Sequence, residues 1–152
     1  MRIRRVVSVL VVLPLSLVAG CGADFAVPRT AAECYEAAPD LQGHHLSDGA
    51  SGWNVAYAEA SRQLGSALTV YVCGPTDVAA TVSIDAPPGV EVDPDELEVT
   101  GDPDELASFE VTVTDKVEDT LTLDFRNEGG GGGTMAITIV TDDDQWSLAP
   151  QR

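Results

Sequence analysis

From Ala67 to Val140 the chain repeats one pattern: short runs in which apolar and polar residues alternate, separated by Gly, Pro and Asp. Leu68, Val70 and Val72 alternate with Thr69, Tyr71 and Cys73. Phe109, Val111 and Val113 alternate with Glu110, Thr112 and Thr114. A period of two puts successive side chains on opposite faces, which a strand satisfies and a helix does not. Further runs are expected at Ala79–Ile84, Val90–Val92, Leu97–Thr100, Thr120–Phe125 and Thr134–Val140. Pro87-Pro88-Gly89 and Asp93-Pro94-Asp95 supply turns between them. In the last run either Met135, Ile137 and Ile139 or Ala136, Thr138 and Val140 face inward. Many short strands at this spacing, with no helical period between them, predict an antiparallel β-sandwich.

Residues 53–64 read two ways. Trp53, Val55 and Tyr57 alternate as in a strand, and Ala67–Cys73 offers a partner. The same stretch also fits a helix capped by Asn54 and ended by Gly65. Upstream, Thr30-Ala31-Ala32-Glu33 is a capping-box pattern and Pro39 is a stop, so a two-turn helix is expected over Ala31–Ala38. Residues 39–52 read as loop. Asp93-Pro94-Asp95-Glu96-Leu97 recurs as Asp102-Pro103-Asp104-Glu105-Leu106, which is turn chemistry repeated and too short for a duplicated domain. Gly129–Gly133 is expected to be a mobile hairpin loop, because glycine loses the most backbone freedom on ordering.

Pro88-Gly89-Val90, then Pro94 and Val99, then the alternating Phe109–Val113 and Met135–Val140 strands, resemble the immunoglobulin-like modules of bacterial surface proteins. The resemblance covers about 60 residues. It implies an antiparallel immunoglobulin-like sandwich that binds, spaces or braces. Fold alone does not establish function.

The N-terminus carries a different message. Arg2, Arg4 and Arg5 precede an apolar run from Val6 to Val18, interrupted by Ser8, Pro14 and Ser16. The run is short for a membrane span and has the anatomy of a signal peptide; an uncleaved anchor is the alternative. Leu17-Val18-Ala19-Gly20-Cys21 resembles the lipobox of bacterial lipoproteins, although Val18 stands where leucine is commoner. The resemblance implies diacylglyceryl attachment to Cys21, cleavage before it, and an extracytoplasmic protein held on the outer face of a membrane. Two acyl chains on one residue suffice for stable anchoring where one does not. The expected organisation is therefore a signal peptide over 1–20, a lipidated tether over 21–29 and one sandwich domain over 30–148.

Cleavage would remove three of the 8 basic residues and none of the 25 acidic ones, leaving a formal charge of −20. Such a surface repels nucleic acid and anionic headgroups. The expected partners are the membrane, through lipid, and an unknown surface protein or polysaccharide. Of the 3 cysteines, Cys21 is assigned to lipid. Cys34 and Cys73 are then expected to form a disulfide, as an even pair outside the cytoplasm usually does. Zinc would need His44 and His45 as well, and adjacent histidines seldom converge on one ion.

Catalytic patterns are missing from the sequence. Gly49-Ala50-Ser51-Gly52 lacks the spacing of a nucleophile elbow, and no histidine pair is set one helical turn apart. The expectation is a protein without enzymatic activity or cofactor. Calcium is the one ion the acidic loops suggest, since it takes six to eight oxygen ligands. The candidate ligands are Asp93 and Asp95, Asp102 and Asp104, and Asp142 and Asp144, with solvated turns as the alternative. Trp53, Tyr57 and Tyr71 either form an exposed patch or sit in the core.

Overall fold

The computed structural model describes residues 26–37, 52–58 and 60–149. Among them one helix, α1 (Ala31–Ala37), precedes ten strands. These are β1 (Asn54–Ala56), β2 (Arg62–Gln63), β3 (Ala67–Cys73), β4 (Ala80–Asp85) and β5 (Val90–Asp93). They continue as β6 (Glu96–Val99), β7 (Ala107–Val113), β8 (Asp119–Asn127), β9 (Gly132–Asp142) and β10 (Gln145–Ala149). The strands form a four-stranded sheet, ordered β1-β3-β7-β5, and a six-stranded sheet, ordered β2-β10-β9-β8-β4-β6. Every pairing is antiparallel. The expected sandwich is the fold observed.

Alternation decides what lies between the sheets. The four-stranded sheet turns Val55, Leu68, Val70, Val72, Phe109 and Val111 inward. The six-stranded sheet answers with Val82, Leu121, Leu123, Phe125, Ile137 and Ile139. Of the two registers open for the last run, Met135, Ile137 and Ile139 take the core. Each fully buried aliphatic side chain contributes about 1.5–3 kcal/mol relative to exposure, so register is strongly specified.

Trp53 ties the layers together. It is fully buried, and its ring stacks on Phe125 with centroids 5.2 Å apart and planes at 21°. Its indole N–H donates to Asn127 Oδ1 at 3.0 Å. Gly74 lies flat against the same indole, where a Cβ would overlap the ring. The strand reading of this region holds for β1, which pairs with β3 as expected. The helical alternative does not hold. The chain instead breaks after Ala56 and re-enters as β2, which pairs with β10.

Two other expectations need correction. β10 was not anticipated; it lies beyond the acidic run Asp142–Asp144, which is the turn of a hairpin. The five glycines are not all loop. Gly132 opens β9 at φ +148°, and a Cβ there would strike the carbonyl oxygen of Phe125, so the strand itself requires glycine. Gly133 pairs with Phe125 in the same ladder. Helix α1 is described over Ala31–Ala37, and Ala38, the last residue of the expected helix, lies outside the described residues.

The helix stands apart from the main core. Its capping box forms: the Glu33 N–H donates to Thr30 Oγ1 at 3.1 Å, and Glu33 Oε2 accepts the Arg29 N–H at 2.9 Å. Because Val55 and Val72 point inward, their neighbours Ala56 and Cys73 point outward. A disulfide joins Cys73 to Cys34, and these three residues form a second buried cluster flanked by Tyr71 and Leu106. The pairing expected from the cysteine count is therefore present. On the opposite side, β5 and β6 are the edge strands of their sheets, and Glu91, Asp93, Glu96 and Glu98 stand exposed along them.

Candidate binding face

The polar half of the alternating pattern builds two unlike outer surfaces. On the four-stranded sheet, Glu91 and Asp93 of β5 stand beside Glu110 and Thr112 of β7, with Asp93 directly opposite Glu110. These residues line an open groove of about 350 Å³. Like charges facing each other across a strand pair are mutually destabilising, so this face favours cations and repels anions.

The six-stranded sheet is different. In the middle of β8, β9 and β10 the outward residues are Thr120 and Thr122, Ala136, Thr138 and Val140, and Ser147 and Ala149. Thr120, Thr138 and Ala149 form one row across the strands. Thr122 lies beside Ala136, and Val140 beside Ser147. None of these seven side chains carries a charge, although the chain has 25 carboxylates. At one end of the patch an open groove of about 430 Å³ is lined by Glu118, Asp119, Thr120, Thr138, Ile139 and Val140. Val140 is 43% exposed. Charge returns farther along the same strands, at Asp142 of β9 and on β8, where the Arg126 guanidinium meets Asp124 Oδ2 at 3.0 Å. The patch offers hydroxyl donors and acceptors and a small apolar ridge, with nothing that titrates near neutrality. Its chemistry is that of contact and hydrogen bonding.

The residues singled out in the sequence fall elsewhere. Trp53 and Tyr57 are in the core, and Tyr71 is partly buried against the disulfide, so they form no exposed patch. The calcium candidates are spread over three turns, and the bonds there are mostly to main-chain carbonyls. The Asp95 carbonyl accepts the Ile84 N–H at 2.7 Å. Asp102 Oδ1 accepts the Asp104 N–H at 2.9 Å, and Glu105 Oε2 accepts the Thr100 hydroxyl at 2.7 Å. The Asp144 carbonyl accepts the Leu64 N–H at 2.9 Å. Among the described residues, no three His, Cys, Asp or Glu side chains converge as metal ligands. Residues 1–20, Cys21, His44 and His45 lie outside the described residues. No helix among those described is long and apolar enough to cross a membrane.

Sequence reasoning missed the uncharged face, having looked for aromatic residues and carboxylates. The available signal was the polar partner set of each alternating strand: Thr, Ser and Ala in the middle of β8, β9 and β10, where β5 and β6 place Asp and Glu. No family model matches the chain, and no curated protein does.

Proposed function

We propose that the protein is an exported, lipid-anchored, non-catalytic binding domain that holds its partner on the outer face of β8, β9 and β10. The observation carrying this reading is the uncharged patch on a chain of net charge −17 before cleavage and −20 after it. A surface kept free of charge in so acidic a molecule is suited to an uncharged stretch of a surface protein or polysaccharide. The anchor rests on the leader and Leu17-Val18-Ala19-Gly20-Cys21. An immunoglobulin-like assignment draws support from strand order. β1-β3-β7-β5 against β9-β8-β4 follows the A-B-E-D and G-F-C orders of such sandwiches. β6 is then added beyond C, and the β10–β2 pair beyond G.

Two measurements test the proposal. Mass spectrometry of the cellular product is expected to show a diacylglyceryl group on Cys21 and no leader. Photo-crosslinkers placed at Thr138 and at Glu91 are expected to give a discrete adduct in intact cells from the first position only. Adducts from Glu91 alone would move the binding role to the acidic sheet.

A further inference from the structure

We infer that the Cys34–Cys73 bridge is a strap that sets where the membrane tether leaves the domain and how far the domain can stand from its anchor. This rests on the lipid-anchored reading given above. Four observations place the strap. Cys34 and Cys73 are both fully buried, so α1 is bolted to the outer face of the four-stranded sheet. The Ala32 N–H donates to the Pro103 carbonyl at 3.0 Å, fixing the start of α1 on the β6–β7 turn. Pro28 is buried, and the Arg29 N–H is held by Glu33, so chain order begins before the helix. Leu106 covers the cluster from the second copy of the Asp-Pro-Asp-Glu-Leu repeat, which gives that repeat a structural use.

The consequence is one of chain length. With the strap docked, only residues 22–27 separate Cys21 from Pro28. A chain spans at most about 3.6 Å per residue, so the anchor lies within roughly 25 Å of the domain. Were α1 released, the first strand residue would be Asn54 of β1, and the limit would rise to roughly 120 Å. Since α1 sits on the four-stranded sheet, the tether starts from the layer opposite the uncharged face, and that face is turned away from the exit point.

The test uses the mature chain, residues 21–152, coupled through the Cys21 thiol to a maleimide-headgroup lipid in a supported bilayer. Neutron reflectometry reads the height of the domain. A 20-residue Gly-Ser insertion before Val27 is expected to raise the domain by about 15 Å. The same insertion between His44 and His45 is expected to leave the height unchanged, because the bridge short-circuits that segment. In Cys34→Ala/Cys73→Ala the second insertion is expected to raise the domain as well. If it raises the bridged protein as much as the first insertion does, the strap is overturned. Far-ultraviolet circular dichroism on each variant separates a misfolded insertion from a raised domain. Flotation of the natural product with vesicles is read separately; its failure removes the lipid anchor and leaves the height series standing.

Discussion

Gly74→Ala tests the packing at the centre of the sandwich. Gly74 has no positive φ that would exclude alanine. On backbone grounds the change should therefore stabilise by about 0.4–1 kcal/mol, by narrowing the unfolded ensemble. Packing opposes it. The new methyl would overlap the Trp53 indole, which is fully buried and fixed both by stacking on Phe125 and by its hydrogen bond to Asn127. Overpacking of this kind costs about 1–3 kcal/mol, so a net loss of about 1–2 kcal/mol is expected. Trp53→Leu alone should cost about 2–4 kcal/mol through lost volume and an unpaired Asn127 oxygen. The double variant is the informative one: the shorter side chain makes room for the methyl. Its loss should fall short of the sum of the singles by about 1–2 kcal/mol. Urea unfolding followed by far-ultraviolet circular dichroism measures all four proteins, with equal slopes as the check that the midpoints compare. Additivity within about 0.5 kcal/mol, or a neutral Gly74→Ala, would refute the steric account.

Four further outcomes are expected. Cys34→Ala/Cys73→Ala should lower unfolding stability by up to about 4 kcal/mol, from release of a loop with sequence separation 39. Hydrogen exchange should show α1 losing protection before the strands do, and simultaneous loss would tie the helix into the main core. Gly101→Ala should cost about 1–3 kcal/mol in chemical denaturation: Gly101 has φ +80°, and a Cβ there would come within 2.8 Å of the Val78 nitrogen. Calcium at about 1 mM should leave the melting temperature unchanged in scanning fluorimetry, because no three acidic side chains converge among the described residues; a rise reversed by chelator would restore an ion site.

The fold was legible where one face had to be apolar. Leu121, Leu123 and Phe125 announce a half-buried strand, and so do Phe109, Val111 and Val113, because water penalises any other arrangement. The helix was legible through Thr30 and Glu33, whose side chains meet backbone donors a few residues away. The disulfide followed from counting thiols. What stayed hidden depends on distant pairing. Nothing near Arg62–Gln63 signals that it will lie against Gln145 and Trp146, eighty residues later. β10 is only five residues long, and its two apolar anchors, Trp146 and Leu148, stand too close to the terminus to establish a period. The candidate face was obscured for a related reason. Its members come from three strands and become neighbours only through the register of β8, β9 and β10.

A strand at the rim of a sheet presents open backbone donors and acceptors to any passing chain. Here the rims formed by β5 and β6 carry Glu91, Asp93, Glu96 and Glu98 side by side. Two molecules that met rim to rim would bring at least eight carboxylates together, with no lysine or arginine on these strands to relieve them. Crowding therefore pushes copies apart along that flank and spares the molecule from zipping into continuous sheets. The middle of the outer surface of β8, β9 and β10 is left as an approach a neighbour can make with little electrostatic penalty.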